Sequence, residues 1–152
     1  MKMKITLKST EIYKHGINAQ IPYPLFLRYV AERKYVLLDR WEYRADCGNV
    51  IGEDAGYSFD LGSIPWVGQW FISRVSFGFG FTAHDIGCDR LAWDDGTAMT
   101  QKEVDDLFME VVEHVHHGKW MRFKARIAWL LIRAHSKTVK RWRRKKKTNE
   151  TD

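Results

Sequence analysis

The chain has 152 residues, of which 45% are hydrophobic and 14% aromatic, and its formal net charge is +6 at pH 7. This size and composition exclude global disorder and predict one folded domain. The first ten residues lack the apolar core of a secretory signal, and the apolar run at 127–132 is far shorter than the roughly 20 residues that span a bilayer. We therefore expect a protein without a transmembrane segment, made in the cytoplasm.

The positive charge is concentrated near the C-terminus. Residues 1–136 contain 17 Lys/Arg and 17 Asp/Glu, whereas residues 137–147 contain eight Lys/Arg and no acid. We expect a single globular domain over residues 1–136 and a basic tail over 137–152. Such a tail can bind the phosphates of nucleic acid or of anionic lipid, or it can be a solvated helix end. The predicted phosphate-binding residues are Lys140, Arg141, Arg143, Arg144, Lys145, Lys146 and Lys147.

The first half of the chain predicts short strands. Pro22 and Pro24 favour an extended arm within residues 1–30. Residues 34–46 are rich in aromatic and β-branched side chains, which is typical of one strand or of half a hairpin. Glycines then mark turns around further short strands. Residues 66–81 predict a short helix that leads into a tight loop.

The second half predicts helices. Thr82 is the predicted N-cap of the first, and the sequence DDGT at 94–97 predicts a turn. TQKE at 100–103 is a capping box for a helix that ends at Gly118, and its predicted buried face is Val104, Leu107, Phe108, Val111 and Val115. The last helix begins near Lys119 and carries six apolar residues on one broad side: Trp120, Phe123, Ile127, Leu130, Leu131 and Ala134.

Strands first and helices afterwards predict an α+β fold, with short N-terminal antiparallel strands packed on a C-terminal antiparallel helix set.

His84, Asp85 and Asp105 are the candidate site residues. Adjacent side chains on a helix diverge by about 100°, so His84 and Asp85 can serve two different tasks. Asp105 lies 21 residues after His84 and can face it if the two helices are antiparallel neighbours. A carboxylate on one imidazole nitrogen would fix the tautomer and leave the other nitrogen as a general base. Asp85 would then be an oxygen ligand for Ca²⁺, with the turn at Asp60 as the source of further ligands.

A second interpretation of the same residues is structural. His84 would donate to a backbone carbonyl group and Asp85 would cap a helix, while Asp105 would interact favourably with the dipole of its own helix.

Three blocks, GYSFDLGSIP, AHDIGCDR and TQKEVDDLF, resemble a bacteriophage family catalogued only as a domain of unknown function. The resemblance runs from about Tyr35 to Arg133 and implies phage origin without an established activity. Val104 stands where the family usually has Ala, and Cys88 where Tyr is common. The matching positions are Gly56, Asp60, Ser63, Ile64, Pro65, His84, Asp85, Asp105 and Phe108.

The HDIGCDR segment and the following helix are also similar to the active-site helices of phospholipases A2. That resemblance implies that His84 activates water, Asp85 holds Ca²⁺ and Asp105 orients the histidine. The disulfides of that family are missing, and FDLGSIP does not clearly match its calcium loop.

His114 and His117 are a further candidate, because residues three apart on a helix can share a metal ion. Polar groups are also common at a helix end without any metal.

Two functional hypotheses follow. The first is a Ca²⁺-dependent esterase with His84 as the base, for which a phospholipid is one candidate substrate. The second is a non-enzymatic virion or host-interaction protein, in which the His–Asp pair is structural and the basic tail docks to nucleic acid, to an anionic membrane or to another virion protein.

Overall fold

The computed structural model describes residues 10–13, 21, 25–31, 34–60 and 77–149, and within them six strands precede three helices. The strands are β1 (Thr10–Tyr13), β2 (Leu25–Ala31), β3 (Lys34–Leu37), β4 (Trp41–Arg44), β5 (Val50–Glu53) and β6 (Ser58–Phe59). The helices are α1 (Gly78–Arg90), α2 (Gln101–Val115) and α3 (Lys119–Asn149). The predicted α+β order of strands before helices is therefore confirmed.

The described strands form two antiparallel sheets, with the order β1-β2-β3-β6 in one and β4-β5 in the other. The prediction of one strand over residues 34–46 was wrong, because β3 and β4 belong to different sheets. The alternative, half a hairpin, holds for β4, which pairs antiparallel with β5. The chain bends between them at residues 38–40, where Asp39 accepts a hydrogen bond from the backbone N–H of Arg40.

Strand β4 contacts two of the helices through its side chains. Its alternate side chains Trp41 and Tyr43 are fully buried, as expected for a strand with one face on a core. The ring of Trp41 lies 6.1 Å from that of Phe79 in α1, and the Tyr43 hydroxyl donates to Glu110 of α2 at 2.7 Å. The strand is therefore fixed to both helices.

Helix α1 begins four residues before its predicted N-cap. Thr82 lies inside the helix, is fully buried, and its hydroxyl donates to the carbonyl oxygen of Gly78 at 2.8 Å. The tight loop predicted to follow a short helix within residues 66–81 is therefore wrong for Gly78–Phe81, which are helical. The sequence FGFGF forms helix because its aromatic rings are buried, with the Phe81 ring 4.9 Å from that of Phe108, and this packing outweighs the low helix propensity of glycine. The rest of the predicted short helix, residues 66–76, lies outside the described part of the chain.

Two glycines of α1 set how closely it approaches α2. A Cβ atom on Gly80 would lie 2.8 Å from Val112 and 2.9 Å from Phe108, and one on Gly87 would lie 2.9 Å from Val104. The glycines are seven residues apart and so lie on one face of the helix. Because the earlier glycine meets the later part of α2, the two helices are antiparallel, as the prediction required.

Helix α2 begins as predicted. Thr100 accepts from the backbone N–H of Glu103 while the Glu103 carboxylate accepts from that of Thr100, which completes the capping box. Its buried residues include Val104, Leu107, Phe108 and Val111. The helix ends at Val115 rather than at Gly118, and His116 is its C-cap.

Helix α3 packs on α2 with the face opposite to the predicted apolar side. Its buried residues are Ala125, Ala128 and Ile132. Trp120, Phe123 and Leu130 are instead exposed by 64%, 53% and 58%. This face packs on α2 because its short alanine side chains allow the two helices to lie close together, while bulkier residues remain outside.

Candidate functional site: a buried histidine–carboxylate pair beside a pocket

The close approach of α1 and α2 brings His84 and Asp105 together. The imidazole Nε2 lies 3.0 Å from Oδ1 of Asp105. His84 is 9% exposed and Asp105 is fully buried. His84 lies four residues after Gly80 and three before Gly87, so the face that the glycines clear is also the face that carries the imidazole.

Asp105 accepts hydrogen bonds from all three helices. In addition to His84 of α1, Gln101 of α2 donates to Oδ1 at 3.0 Å. From α3, Arg133 donates to Oδ2 at 2.8 Å and Ser136 to Oδ1 at 3.0 Å. A buried carboxylate needs this kind of compensation, because desolvation of its charge is costly.

The sequence interpretation did not include Gln101, Arg133 or Ser136. The signal for Gln101 was present, because it lies one helical turn before Asp105. Arg133 and Ser136 are three residues apart on the last helix, which indicates a shared face, but nothing in the sequence shows which partner that face meets.

These contacts act on the pKa values of both members of the pair. Burial of the His84 imidazole lowers its pKa, but hydrogen bonding with Asp105 and Asp85 outweighs burial and holds that pKa well above its ordinary value. Burial raises the pKa of Asp105, but its bonds with His84, Gln101 and Arg133 outweigh this effect and lower it. Both shifts favour the imidazolium–carboxylate form of the pair.

A pocket of about 360 Å³ opens beside the pair. Asp60 and Asp85 both line it, so the structure brings the two predicted calcium ligands to one cavity. The Tyr57 hydroxyl donates to Asp89, and both residues line the pocket. Burial, and to a smaller extent this bond, raises the pKa of the tyrosine hydroxyl. The remaining lining residues are Lys34, Ser58, Phe59 and Cys88.

His84 does not itself line this pocket, but two residues that do line it lie near its second nitrogen. Nδ1 lies 3.7 Å from Oδ1 of Asp85 and 3.8 Å from the sulfur of Cys88, and both partners line the cavity. Gln101 donates to the same sulfur at 3.4 Å. The Cys88 thiol thus lies 3.6 Å from Nε2 and 3.8 Å from Nδ1 of His84.

The donor chemistry of the pocket suits a hard cation, because Asp60 and Asp85 offer carboxylate oxygens. Among the described residues, the group of three ligand side chains with atoms within 4.8 Å of one another is elsewhere, at Asp46, Glu110 and His114. His114 Nε2 lies 3.0 Å from Asp46, whereas His117 is exposed. His114 is therefore paired with Asp46 and not, as predicted, with His117.

The backbone of the predicted basic tail continues α3 as far as Asn149. The side chains of the seven predicted phosphate-binding residues, Lys140, Arg141, Arg143, Arg144, Lys145, Lys146 and Lys147, lie outside the described part of the structure. No helix in the described ranges combines the length and hydropathy needed to cross a membrane.

The fold and the site define an α+β domain with a buried His–carboxylate pair next to an acidic pocket. Residues 35–132 match the family described as "Protein of unknown function (DUF1353)", and the chain belongs to this family. The matched region contains Asp60, His84, Asp85 and Asp105, but it stops one residue before Arg133. No curated protein and no solved structure matches the chain.

Proposed function

We propose that the protein is a hydrolase in which His84 transfers a proton at the acidic pocket. The observation that carries this proposal is the two-sided placement of the imidazole. Nε2 is held 3.0 Å from a fully buried carboxylate, while Nδ1 lies beside two residues that line the cavity. A carboxylate on one nitrogen orients a histidine for proton transfer at the other.

For an ester substrate, the proposed reaction is attack of a water oxygen on the carbonyl carbon. Nδ1 of neutral His84 accepts the proton that the water loses, and Asp105 stabilises the imidazolium that results. The bond between the carbonyl carbon and the alcohol oxygen then breaks, and the proton passes to the departing alkoxide. The products are a carboxylic acid and an alcohol.

Calcium is part of the proposal because the pocket offers Asp60 and Asp85 as ligands. Two carboxylates are fewer than the six to eight oxygens that Ca²⁺ commonly takes, so backbone carbonyls or water would supply the others. A bound Ca²⁺ would stabilise negative charge on the carbonyl oxygen. The similarity of HDIGCDR to phospholipase A2 helices supports a phospholipid ester as the substrate.

The biological setting is proposed from the resemblance to the phage family. It supports a phage-encoded protein made in the host cytoplasm, with incorporation into the virion as a further proposal.

The test is release of fatty acid from anionic liposomes, with Ca²⁺ or with a chelator. Wild type is compared with His84→Gln, and His117→Gln serves as the control because that histidine is exposed. Release that requires both Ca²⁺ and His84 supports the proposal. If folded wild-type protein releases no fatty acid under any of these conditions, the proposal is wrong.

A second candidate is a non-enzymatic virion or host-interaction protein, in which the pair is a structural pin. It is favoured by the bonds that Asp105 accepts from all three helices, and by the raised pKa of His84, which favours the protonated imidazole over the neutral form that a general base requires. In that case His84→Gln lowers stability and no substrate is turned over.

A further inference from the structure

Helix α3 carries a second apolar face, most of which is exposed. We call it the exposed stripe: Trp120, Phe123, Ile127, Leu130, Leu131 and Ala134. Ile127 and Leu131 are half-buried, and the other four are exposed. Their spacing of three, four and seven residues aligns them along one side of the helix.

Two members of the exposed stripe, Ile127 and Leu131, pack against the edge of the core, whereas Trp120, Phe123 and Leu130 are more than half exposed. The main attachment of α3 is on the opposite face, where Ala125, Ala128 and Ile132 are buried, and through the bonds of Arg133 and Ser136 to Asp105. Trp129 also belongs to the attached side, since its indole N–H donates to Asp106 at 3.1 Å. A contiguous apolar surface of this kind is typical of an interaction site.

The charges of α3 indicate which kind of partner binds the exposed stripe. Residues 119–149 contain 13 Lys/Arg and no Asp or Glu. At the stripe itself, the Lys124 ammonium lies 5.4 Å from the centre of the Trp120 ring. Two copies of α3 packed through this face would place Lys and Arg against Lys and Arg, which opposes self-association. Nucleic acid would match the cations but would offer nothing for the apolar side chains.

An anionic lipid surface matches both features. Helices that lie in a membrane interface combine an apolar face that includes Trp, Phe or Leu with flanking Lys and Arg, and they bind through apolar burial together with attraction to anionic headgroups. We infer that the exposed stripe docks α3, lying in the plane of the interface, onto an anionic lipid membrane. From Trp120 to Ala134 the stripe offers about 22 Å of contact length. This inference does not depend on whether the pocket is catalytic.

The experiment is co-sedimentation of the full chain with vesicles of phosphatidylcholine alone or mixed with phosphatidylglycerol. Wild type is compared with the double variant Phe123→Ser/Leu130→Ser. The matched control is Val30→Ser, because Val30 is also 53% exposed but lies in β2. We expect wild type and the control to sediment with the anionic vesicles, and the double variant to partition roughly tenfold or more weakly. Circular dichroism should show unchanged helix content in all three.

Four outcomes would overturn the inference. If wild type does not sediment with anionic vesicles, the exposed stripe does not bind an anionic membrane. A double variant that binds as well as wild type shows that charge alone is responsible. A concentration-dependent dimer of wild type that the double variant loses assigns the stripe to a second copy. Binding to duplex DNA that replaces vesicle binding assigns the helix to nucleic acid.

Discussion

Arg133 of α3 donates to Oδ2 of Asp105 at 2.8 Å, while His84 of α1 is bonded to Oδ1 of the same carboxylate. A single buried side chain thereby holds a cation from each of two neighbouring helices. The pair that we propose to be catalytic is for this reason also part of the helix packing.

We expect Asp105→Asn to destabilise the fold by about 3–5 kcal/mol, because it removes the charge between two buried or half-buried cations. Urea denaturation measures the free energy of unfolding. Asp106→Asn is the control: it removes the charge that pairs with exposed Lys102, a pair that contributes about 0–1 kcal/mol, while its amide oxygen can still accept from the Trp129 indole. Equal effects of the two variants would contradict the role given to Asp105.

The stability of the fold should depend on pH through both members of the pair. The pKa of His84 is raised on folding, so its contribution is fully present below its ordinary pKa of 6.5 and is lost as pH rises through the raised value. The pKa of Asp105 is lowered, so its contribution is present above 3.8 and is lost as pH falls through the lowered value.

The check is the free energy of unfolding against pH for wild type and His84→Gln. The variant should lose the part of the profile that declines above pH 6.5. An unchanged alkaline limb would show that His84 is not the group responsible.

Gly80→Ala and Gly87→Ala should each destabilise the fold by about 1–3 kcal/mol, because the added methyl group would overlap side chains of α2. Gly118→Ala is the matched control, since a Cβ atom there meets nothing within 4 Å. Thermal unfolding of the three variants measures the difference. If all three melt alike, α1 and α2 do not approach as closely as described.

If His84 is the base, hydrolysis should become faster as pH rises above 6.5, because only the neutral imidazole accepts a proton and its pKa is raised. The measurement is kcat/KM as a function of pH at saturating Ca²⁺. A rate that falls over the same range would indicate that the imidazolium is the active form.

Cys88→Ser should leave hydrolysis within about threefold of wild type, since water is the proposed nucleophile and the thiol only lines the pocket. Cys47→Ser, at an exposed cysteine, is the control for general effects of thiol removal. Loss of activity in Cys88→Ser alone would instead make the thiol, 3.6 Å from His84 Nε2, the attacking group.

The sequence predicted those features that depend on neighbouring residues. The capping box at Thr100 and the buried face around Phe108 follow from local spacing, and the structure has both. The proximity of His84 to Asp105 also followed from spacing, once the two helices were taken as antiparallel neighbours.

Features set by tertiary packing were not predictable in the same way. Thr82 has the chemistry of an N-cap, but aromatic packing extends α1 back to Gly78. Helix α3 has apolar residues on two sides, and the small side chains of Ala125 and Ala128, rather than hydrophobicity, decide which side faces α2.

The position of Arg133 and Ser136 has a consequence for how α3 and His84 influence each other. Both residues donate to the carboxylate that governs the proton affinity of His84, and both belong to the helix that bears the exposed stripe. Any ligand of α3 that shifts either donor would change the titration of the histidine. By thermodynamic reciprocity, protonation of His84 would then change the affinity of that ligand by the same factor. Protonation of the buried His84 would thus report whether a ligand is bound on the outer face of α3.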